Sequence, residues 1–262
     1  MKLSSILIVY IVPRTKEQAS ALQTVEKALK KHSIRYQLED RDSLSKRSVK
    51  GKDLIIVIGG DGTFLRAAQF VDKEMLFGVN SDPRNKEGFF MKADKSNFEA
   101  KLKKIVAGKI RLKMFPRLEA SIDNKPIGVF ALNEFYIGPR KAYHAAKYII
   151  KVGGKQERHK SSGVLVTTPA GSYSWAKSCC GRSMNLDSKN FQYIVREPYQ
   201  GKIFRDYKLT YGMLKKNQKA EVISEMLDGV VVADSVSKDY NFKEGSKAKI
   251  GLSDKSIRVV WS

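Results

Sequence analysis

Residues 54–68, LIIVIGGDGTFLRAA, decide how the rest of the chain is read. The run from Leu54 to Ile58 is apolar without alternation, the pattern of a strand buried on both faces. It stops at Gly59-Gly60-Asp61-Gly62-Thr63, and FLRAAQFV then reads as a short helix. A strand end that flows into a helix start presents free backbone N–H groups and a favourable dipole to an anion. Glycines let that backbone come close to phosphate oxygens. The dinucleotide fingerprint is not met, because Leu65 holds its third glycine position, and the phosphate loop ending in G-K-[ST] is absent. Asp61 is the odd member. A carboxylate in a phosphate cradle repels its ligand unless magnesium intervenes or it takes a hydroxyl proton in the reaction. The competing reading is an Asp-Gly turn in which Asp61 bonds its own backbone; the two preceding glycines argue against it.

Around this stretch the first hundred residues alternate in type. KLSSILIVYIV reads as a strand, TKEQASALQTVEKALKKH as an amphipathic helix capped by Thr15, IRYQLE as a strand, and MLFGVN as another. Strand-helix alternation with apolar strands predicts a doubly wound, Rossmann-like parallel sheet, whose ligands bind beyond the carboxyl ends of the strands. From about Lys109 the pattern changes to short alternating segments separated by turn signals, which predicts a mainly antiparallel, sandwich-like β domain. SYSWAKSCCG is the one helix expected inside it. The expected class is therefore α/β plus β, with domains at 1–108 and 109–262.

Composition narrows the function classes. Lys and Arg number 49 against 27 Asp and Glu, a formal charge of +22. Such an excess attracts polyanions, whether nucleic acid or phosphorylated small molecules, or simply reflects a lysine-rich surface. The basic residues form no arm and no nucleic-acid-binding module is present, so nucleic acid is not the expected partner. Cys179 and Cys180 are the only cysteines; adjacent in sequence, they lack both disulfide geometry and metal-ligand spacing. His32, His144 and His159 are scattered, and no metal-ligand set is expected. No window reaches the ~20 apolar residues of a membrane span. The apolar opening runs into an amphipathic segment with no cleavage pattern, so a first strand explains it better than a signal peptide. A soluble, cytoplasmic protein without membrane association is expected.

Three further stretches carry polar residues in unusual places. GVNSDPRNKEG, with Asn80, follows a strand at the same sheet edge as Asp61. ALNEFYIG sets Asn133 and Glu134 between apolar neighbours, where a strand usually avoids such a pair, so they need partners such as ribose hydroxyls or an adenine amine. TTPAGSYSWAKS combines hydroxyls, a Pro-x-Gly turn and aromatics, which suits a nucleoside but also a plain hairpin.

In this order, GGDGT (59–63), GVN (78–80), LNE (132–134) and TTPAGSYSW (167–175) resemble the marks of the NAD kinase family, and the likeness covers nearly the whole chain. GVNSDPRNKEG and VREPYQGKIF are most similar to its mitochondrial-type branch. GGDGT alone would also fit lipid kinases of the diacylglycerol and sphingosine type; a catalytically weak NAD(P)-binding regulator is a further alternative, against which the intact Asp61 argues. The resemblance implies transfer of the ATP γ-phosphoryl, with Mg2+, to the 2′-hydroxyl of the adenosine ribose of NAD, possibly NADH. It implies Asp61 as proton acceptor, and Gly59, Gly60, Gly62 and Thr63 at nucleotide phosphates. Asn80, Asn133, Glu134, Ser162, Thr168, Tyr173, Ser174, Trp175 and Ser178 are then dinucleotide-binding positions, with Glu134 at ribose hydroxyls. It also implies a homodimer or homotetramer. The chain departs from the family pattern at Ser162, usually an aspartate, at Ala170, usually Thr or Ser, at Tyr173, usually a small hydroxyl residue, and at Trp175, more often tyrosine. It ends on RVVWS, without the terminal helix of many members.

Overall fold

The computed structural model describes residues 3–261. Met1 and Ser262, the outer limits of the expected domains, and Lys2 of the first expected strand lie outside them.

The chain forms two compact units, one from residues up to 114 together with 256 onward, the other from 115–255. The first contains β1 (Ile6–Tyr10), α1 (Lys16–Lys31), β2 (Tyr36–Asp40), α2 (Lys46–Val49), β3 (Leu54–Gly59), α3 (Asp61–Ala68), β4 (Met75–Asn80), β5 (Met91–Asp94), α4 (Phe98–Val106) and β6 (Leu112–Phe115). Thr15 caps α1 as expected, its side chain accepting the Gln18 N–H. Strands β1 to β4 pair in parallel, and β3 is buried at every position. Ile6, Ile8, Ile56, Ile58, Phe77 and Val79 alternate onto one face and share a core with Ala21, Val25 and Leu29 of α1 and Phe98, Leu102 and Ile105 of α4. The helix after the glycines begins earlier than expected, at Asp61 rather than Phe64. Gly60 stands at its N-cap and Asp61 in its first turn, where a negative charge meets the positive end of the helix dipole.

The second unit holds β7 (Leu118–Ile122), β8 (Lys125–Ala131), β9 (Glu134–Pro139), β10 (Ala146–Val152), β11 (Lys155–Ser161), β12 (Val164–Thr167), α5 (Trp175–Ser178), β13 (Phe191–Val195), β14 (Tyr211–Leu214), β15 (Ala220–Ser224), β16 (Gly229–Ala233), β17 (Tyr240–Asn241) and β18 (Lys247–Leu252). They form two six-stranded sheets, β11-β10-β15-β18-β7-β8 and β14-β13-β12-β9-β16-β17. One apolar core joins Tyr148, Ile150, Val222 and Ile250 of the first sheet to Phe135, Val164, Phe191 and Val231 of the second, so the unit is a β-sandwich. The expected helix at SYSWAKSCCG is only a 3-10 turn at Gly171–Tyr173 followed by the single turn of α5.

The end of the chain corrects the expected division. β19 (Ile257–Val260) pairs in parallel with Met75 and Leu76 of β4, and β6 lies beyond it at the edge of the same sheet. Two strands placed by sequence in the second domain thus belong to the first unit. Ile257, Val259 and Val260 are buried there because they cover the flank of β4 that β5, paired only with Gly78–Asn80, leaves open.

Candidate active site

In the first unit the glycine segment lies at the carboxyl end of β3. Gly59 is obligatory for packing, since a Cβ there would stand 2.6 Å from Thr63 Oγ1. Thr63 is itself buried, and its hydroxyl accepts from Arg41 Nη1 at 3.4 Å, so its side chain braces the loop from within. Asp61 does not bond back to its own turn. Its Oδ2 accepts the Phe89 N–H at 2.8 Å and its Oδ1 the Phe90 N–H at 2.9 Å, which fixes the carboxylate by both oxygens to the loop after β4. Asn80 orders that loop: its Nδ2 donates to Lys86 O at 3.0 Å and its Oδ1 accepts the Asp82 N–H at 3.0 Å. With donor and acceptor both engaged, Asn80 acts here as a loop brace.

Two lysines that sequence reading passed over flank this segment. Lys86 runs across Gly60, its Cδ 3.1 Å from where a Cβ would stand, and donates to Ser81 Oγ at 2.9 Å. Burial holds its pKa below the usual lysine value, against the opposing pull of Asp82 and with the added push of Arg41. Lys92 lies 3.7 Å over the Trp261 ring; burial lowers it too, with Asp61 acting in the opposite direction. Together they set positive charge beside Gly60 and Asp61, where phosphate would lie.

In the second unit the chain crosses from β8 to β9 at Leu132-Asn133, and Glu134 opens β9. Asn133 and Glu134 are 5 % and 4 % exposed. Their backbone is held from two sides. Thr168 Oγ1 donates to Leu132 O at 2.6 Å, while the Thr168 N–H and Thr167 Oγ1 reach Asn133 O at 2.8 and 3.1 Å. From the other side Asp234 accepts the N–H groups of Leu132, Asn133 and Glu134 at 2.8, 2.7 and 3.1 Å. The turn after Pro169 closes against the same backbone: a Cβ on Gly171 would stand 2.2 Å from Asn133 O.

What this framework leaves over is specific. Asn133 Oδ1 and Glu134 Oε2 are buried and have no hydrogen-bond partner. Buried polar atoms are almost always paired, so two adjacent orphans mark a place where a ligand supplies the missing donors. Burial, then the neighbouring Asp234 charge, pushes the Glu134 carboxyl up to about 8. Burial pushes Asp234 up as well, but three backbone donors and the Arg117 charge oppose it. Of the two carboxyls Asp234, raised to about 7, gives up its proton first, and Glu134, raised to about 8, keeps its proton to higher pH.

The remaining expected positions fall into two groups. Trp175 stacks on Tyr136, ring centroids 5.5 Å apart, and the Arg196 guanidinium lies 4.5 Å from the Trp175 ring. Arg196 Nη1 also donates to Ser162 O at 3.4 Å, so Ser162 and Trp175 share one cationic neighbour. Tyr173, Ser174 and Ser178 are exposed on the turn around α5. Sequence reading missed Asp234, Arg196, Lys86 and Lys92. Only Asp234 left a signal, a carboxylate ending the apolar run GVVVA.

Known proteins resemble this chain in sequence and fold. Residues 4–110 match the ATP-NAD kinase N-terminal domain. The NAD kinase of Archaeoglobus fulgidus is 30% identical over 215 residues, which is 81% of this chain and 79% of that protein. The chain belongs to the NAD kinase family. A probable NADH kinase of Oryza sativa is 25% identical over 96% of the chain and 83% of its own length. Among solved NAD kinase structures, that of the Archaeoglobus fulgidus enzyme in complex with ATP superposes with a TM-score of 0.78 at 26% identity, covering 98% of this chain and 93% of that one. Yeast NADH kinase complexed with NADH shares the fold, with a TM-score of 0.82 at 15% identity over 99% of this chain and 84% of that one. As an NAD kinase family member the protein is a phosphotransferase, and the plant relative accords with the mitochondrial-type branch.

Proposed function

We propose that the protein transfers the γ-phosphoryl group of ATP to the 2′-hydroxyl of the adenosine ribose of NAD or NADH. The observation that carries this reading is the orphaned pair Asn133 Oδ1 and Glu134 Oε2, buried and unpartnered on consecutive residues. Adenosine offers matching donors, the ribose hydroxyls to Glu134 and the adenine amino group to Asn133. A lipid acceptor has no use for such a pair.

Asp61 acts as the proton acceptor. The Phe89 and Phe90 N–H groups take one lone pair from each of its oxygens and leave the others for a hydroxyl. In the step the ribose oxygen bonds to the γ-phosphorus, the bond to the β,γ-bridging oxygen breaks, ADP leaves, and the hydroxyl proton passes to Asp61. A weak base suffices, because the loose transition state deprotonates the nucleophile late and positioning dominates. Lys86, Lys92 and the free N–H groups at the start of α3 hold phosphate charge. Among the described residues no three His, Cys, Asp or Glu side chains gather to hold a metal. Magnesium would be bound mainly by nucleotide phosphates, where it would neutralise their charge. Trp175, with Tyr136 and Arg196, supplies the stacking surface for the rest of the dinucleotide. The protein works as a homodimer or homotetramer, which light scattering on the purified chain measures.

The direct test incubates purified protein with ATP and magnesium, and with NAD, NADH or diacylglycerol as acceptor. NADP or NADPH is the expected product. Absence of product from both dinucleotides overturns the reading, and phosphorylated lipid replaces it.

A further inference from the structure

We propose that Asp234 is a positioning residue for the dinucleotide: its carboxylate gathers the backbone N–H groups of Leu132, Asn133 and Glu134, and so aims the Asn133 and Glu134 side chains at the adenosine. This rests on the dinucleotide reading above.

The argument begins with backbone hydrogen bonding. The β7–β8 ladder ends at Leu118↔Ala131, and the β9–β16 ladder begins at Phe135↔Ala233. Leu132 and Asn133 therefore sit where one sheet has ended and the next has not begun, with buried N–H groups and no strand to accept them. Unpaired, each would cost free energy comparable to a lost hydrogen bond. Asp234 stands at the end of β16 with φ +54, and Ser235 follows with φ +56. Asp is among the few non-glycine residues that adopt this left-handed region readily. The turn points the carboxylate back along β9, and the Asp234 N–H donates in return to Glu134 O at 2.9 Å. Thr167 and Thr168 take up the carbonyls of the same segment. Its backbone is thereby satisfied from both sides, and the buried polar atoms that residues 132–134 leave without a partner are Asn133 Oδ1 and Glu134 Oε2.

A neutral acceptor would serve the backbone less well and would not act on Glu134. Asp234 is 3 % exposed, so its charge lies in a poorly screened place. The charged groups that act on the pair are Asp234 itself on Glu134, and Arg117 on Asp234. Arg117 is buried, donates from Nε to Lys255 O at 3.0 Å and lies over the Phe130 ring. With that charge beside it, Glu134 keeps its proton until ribose hydroxyls donate to it, and binding then releases the proton.

Asp234→Asn is the test. Its amide nitrogen, placed at the Oδ2 position, would face the Leu132 N–H; flipped, it would face those of Asn133 and Glu134. Turnover kinetics should show the KM for NAD or NADH raised roughly tenfold or more, with the KM for ATP within about twofold. The pH midpoint of the dinucleotide KM should move down, because the charge opposing Glu134 ionisation is gone. Asp239→Asn serves as control. Its carboxylate pairs with Arg140 at the exposed rim of the same sheet, and both KM values should hold. A folded D234N with wild-type dinucleotide KM and pH midpoint overturns the proposal while leaving the kinase reading intact. No NADP(H) from the wild type overturns both. Should D234N not fold, calorimetry of NAD binding to the wild type in two buffers of different ionisation enthalpy decides. Proton release that is lost in Glu134→Gln supports the arrangement, and its absence in the wild type overturns it.

Discussion

Glu134→Gln should make the unliganded protein more stable in alkali and flatten its dependence on pH. In the folded chain the Glu134 carboxyl is pushed up to about 8 by burial and by Asp234, from an ordinary value of 4.5. A carboxyl raised on folding makes the native state hold more protons than the unfolded state between those two values. Its contribution is therefore most favourable below about pH 4.5, falls as pH rises, and levels off above about pH 8. The slope is at most about 1.4 kcal/mol per pH unit, so this one group removes at most roughly 5 kcal/mol over the whole interval. From about pH 6 to pH 8 the loss is roughly 2 kcal/mol, a large part of a typical domain stability. Glutamine keeps the shape and cannot ionise. Urea unfolding followed by circular dichroism, for wild type and variant across this range, reads the difference directly. The two unfolding free energies should diverge as pH rises, with the variant the more stable. Parallel curves would refute the protonated, orphaned Glu134. NAD should narrow the gap, because ribose hydroxyls stabilise the ionised wild-type carboxylate and offer the amide less.

Other expectations are as concrete. Asp61→Asn should lower kcat by roughly two to four orders of magnitude with NAD affinity within a few-fold; unchanged turnover would remove Asp61 from the proton transfer. Gly171→Ala must displace Asn133 O or Thr167 Oγ1, since its Cβ would stand 2.2 and 2.3 Å from them. A loss of about 1–3 kcal/mol in urea unfolding and a raised dinucleotide KM should follow, whereas full stability would show that the turn has room. EDTA should stop turnover by taking magnesium from the nucleotide, without shifting the thermal midpoint of the nucleotide-free protein. A lower midpoint would reveal a metal held by the fold itself.

How much of this was legible beforehand differs from element to element. The parallel strands were, because a short, Ile- and Val-rich apolar run such as LIIVI, ended by glycines, is typical of a strand covered on both faces. The antiparallel half was legible as a type but not as two sheets with a given strand order, since short alternating segments have many possible partners. RVVW reads as a strand in either unit; only the open flank of β4 draws it into the first sheet. The domain boundary was hidden for the same reason. In the site, Asp61, Asn133 and Glu134 stood out as polar residues in apolar surroundings. Their partners did not, because Phe89 and Phe90 act through backbone N–H groups that every non-proline residue possesses. Asp234 lies a hundred positions from Glu134 and reads in isolation as an ordinary turn former.

The sequence by itself determined the local chemistry: a strand ending in glycines with a carboxylate, a polar pair placed where a strand resists it, and a hydroxyl-rich turn. Those follow from side-chain type and spacing over a few residues. Tertiary structure decided what each polar group faces. It turned the Asp61 carboxylate to the Phe89 and Phe90 amides and engaged the Asn80 amide in bracing a loop. It set Asp234 beneath the backbone of residues 132–134 and left two buried oxygens there without partners. Hydrogen bonding and charge interaction act through space, and the chain brings distant residues within their reach only when the strands have paired.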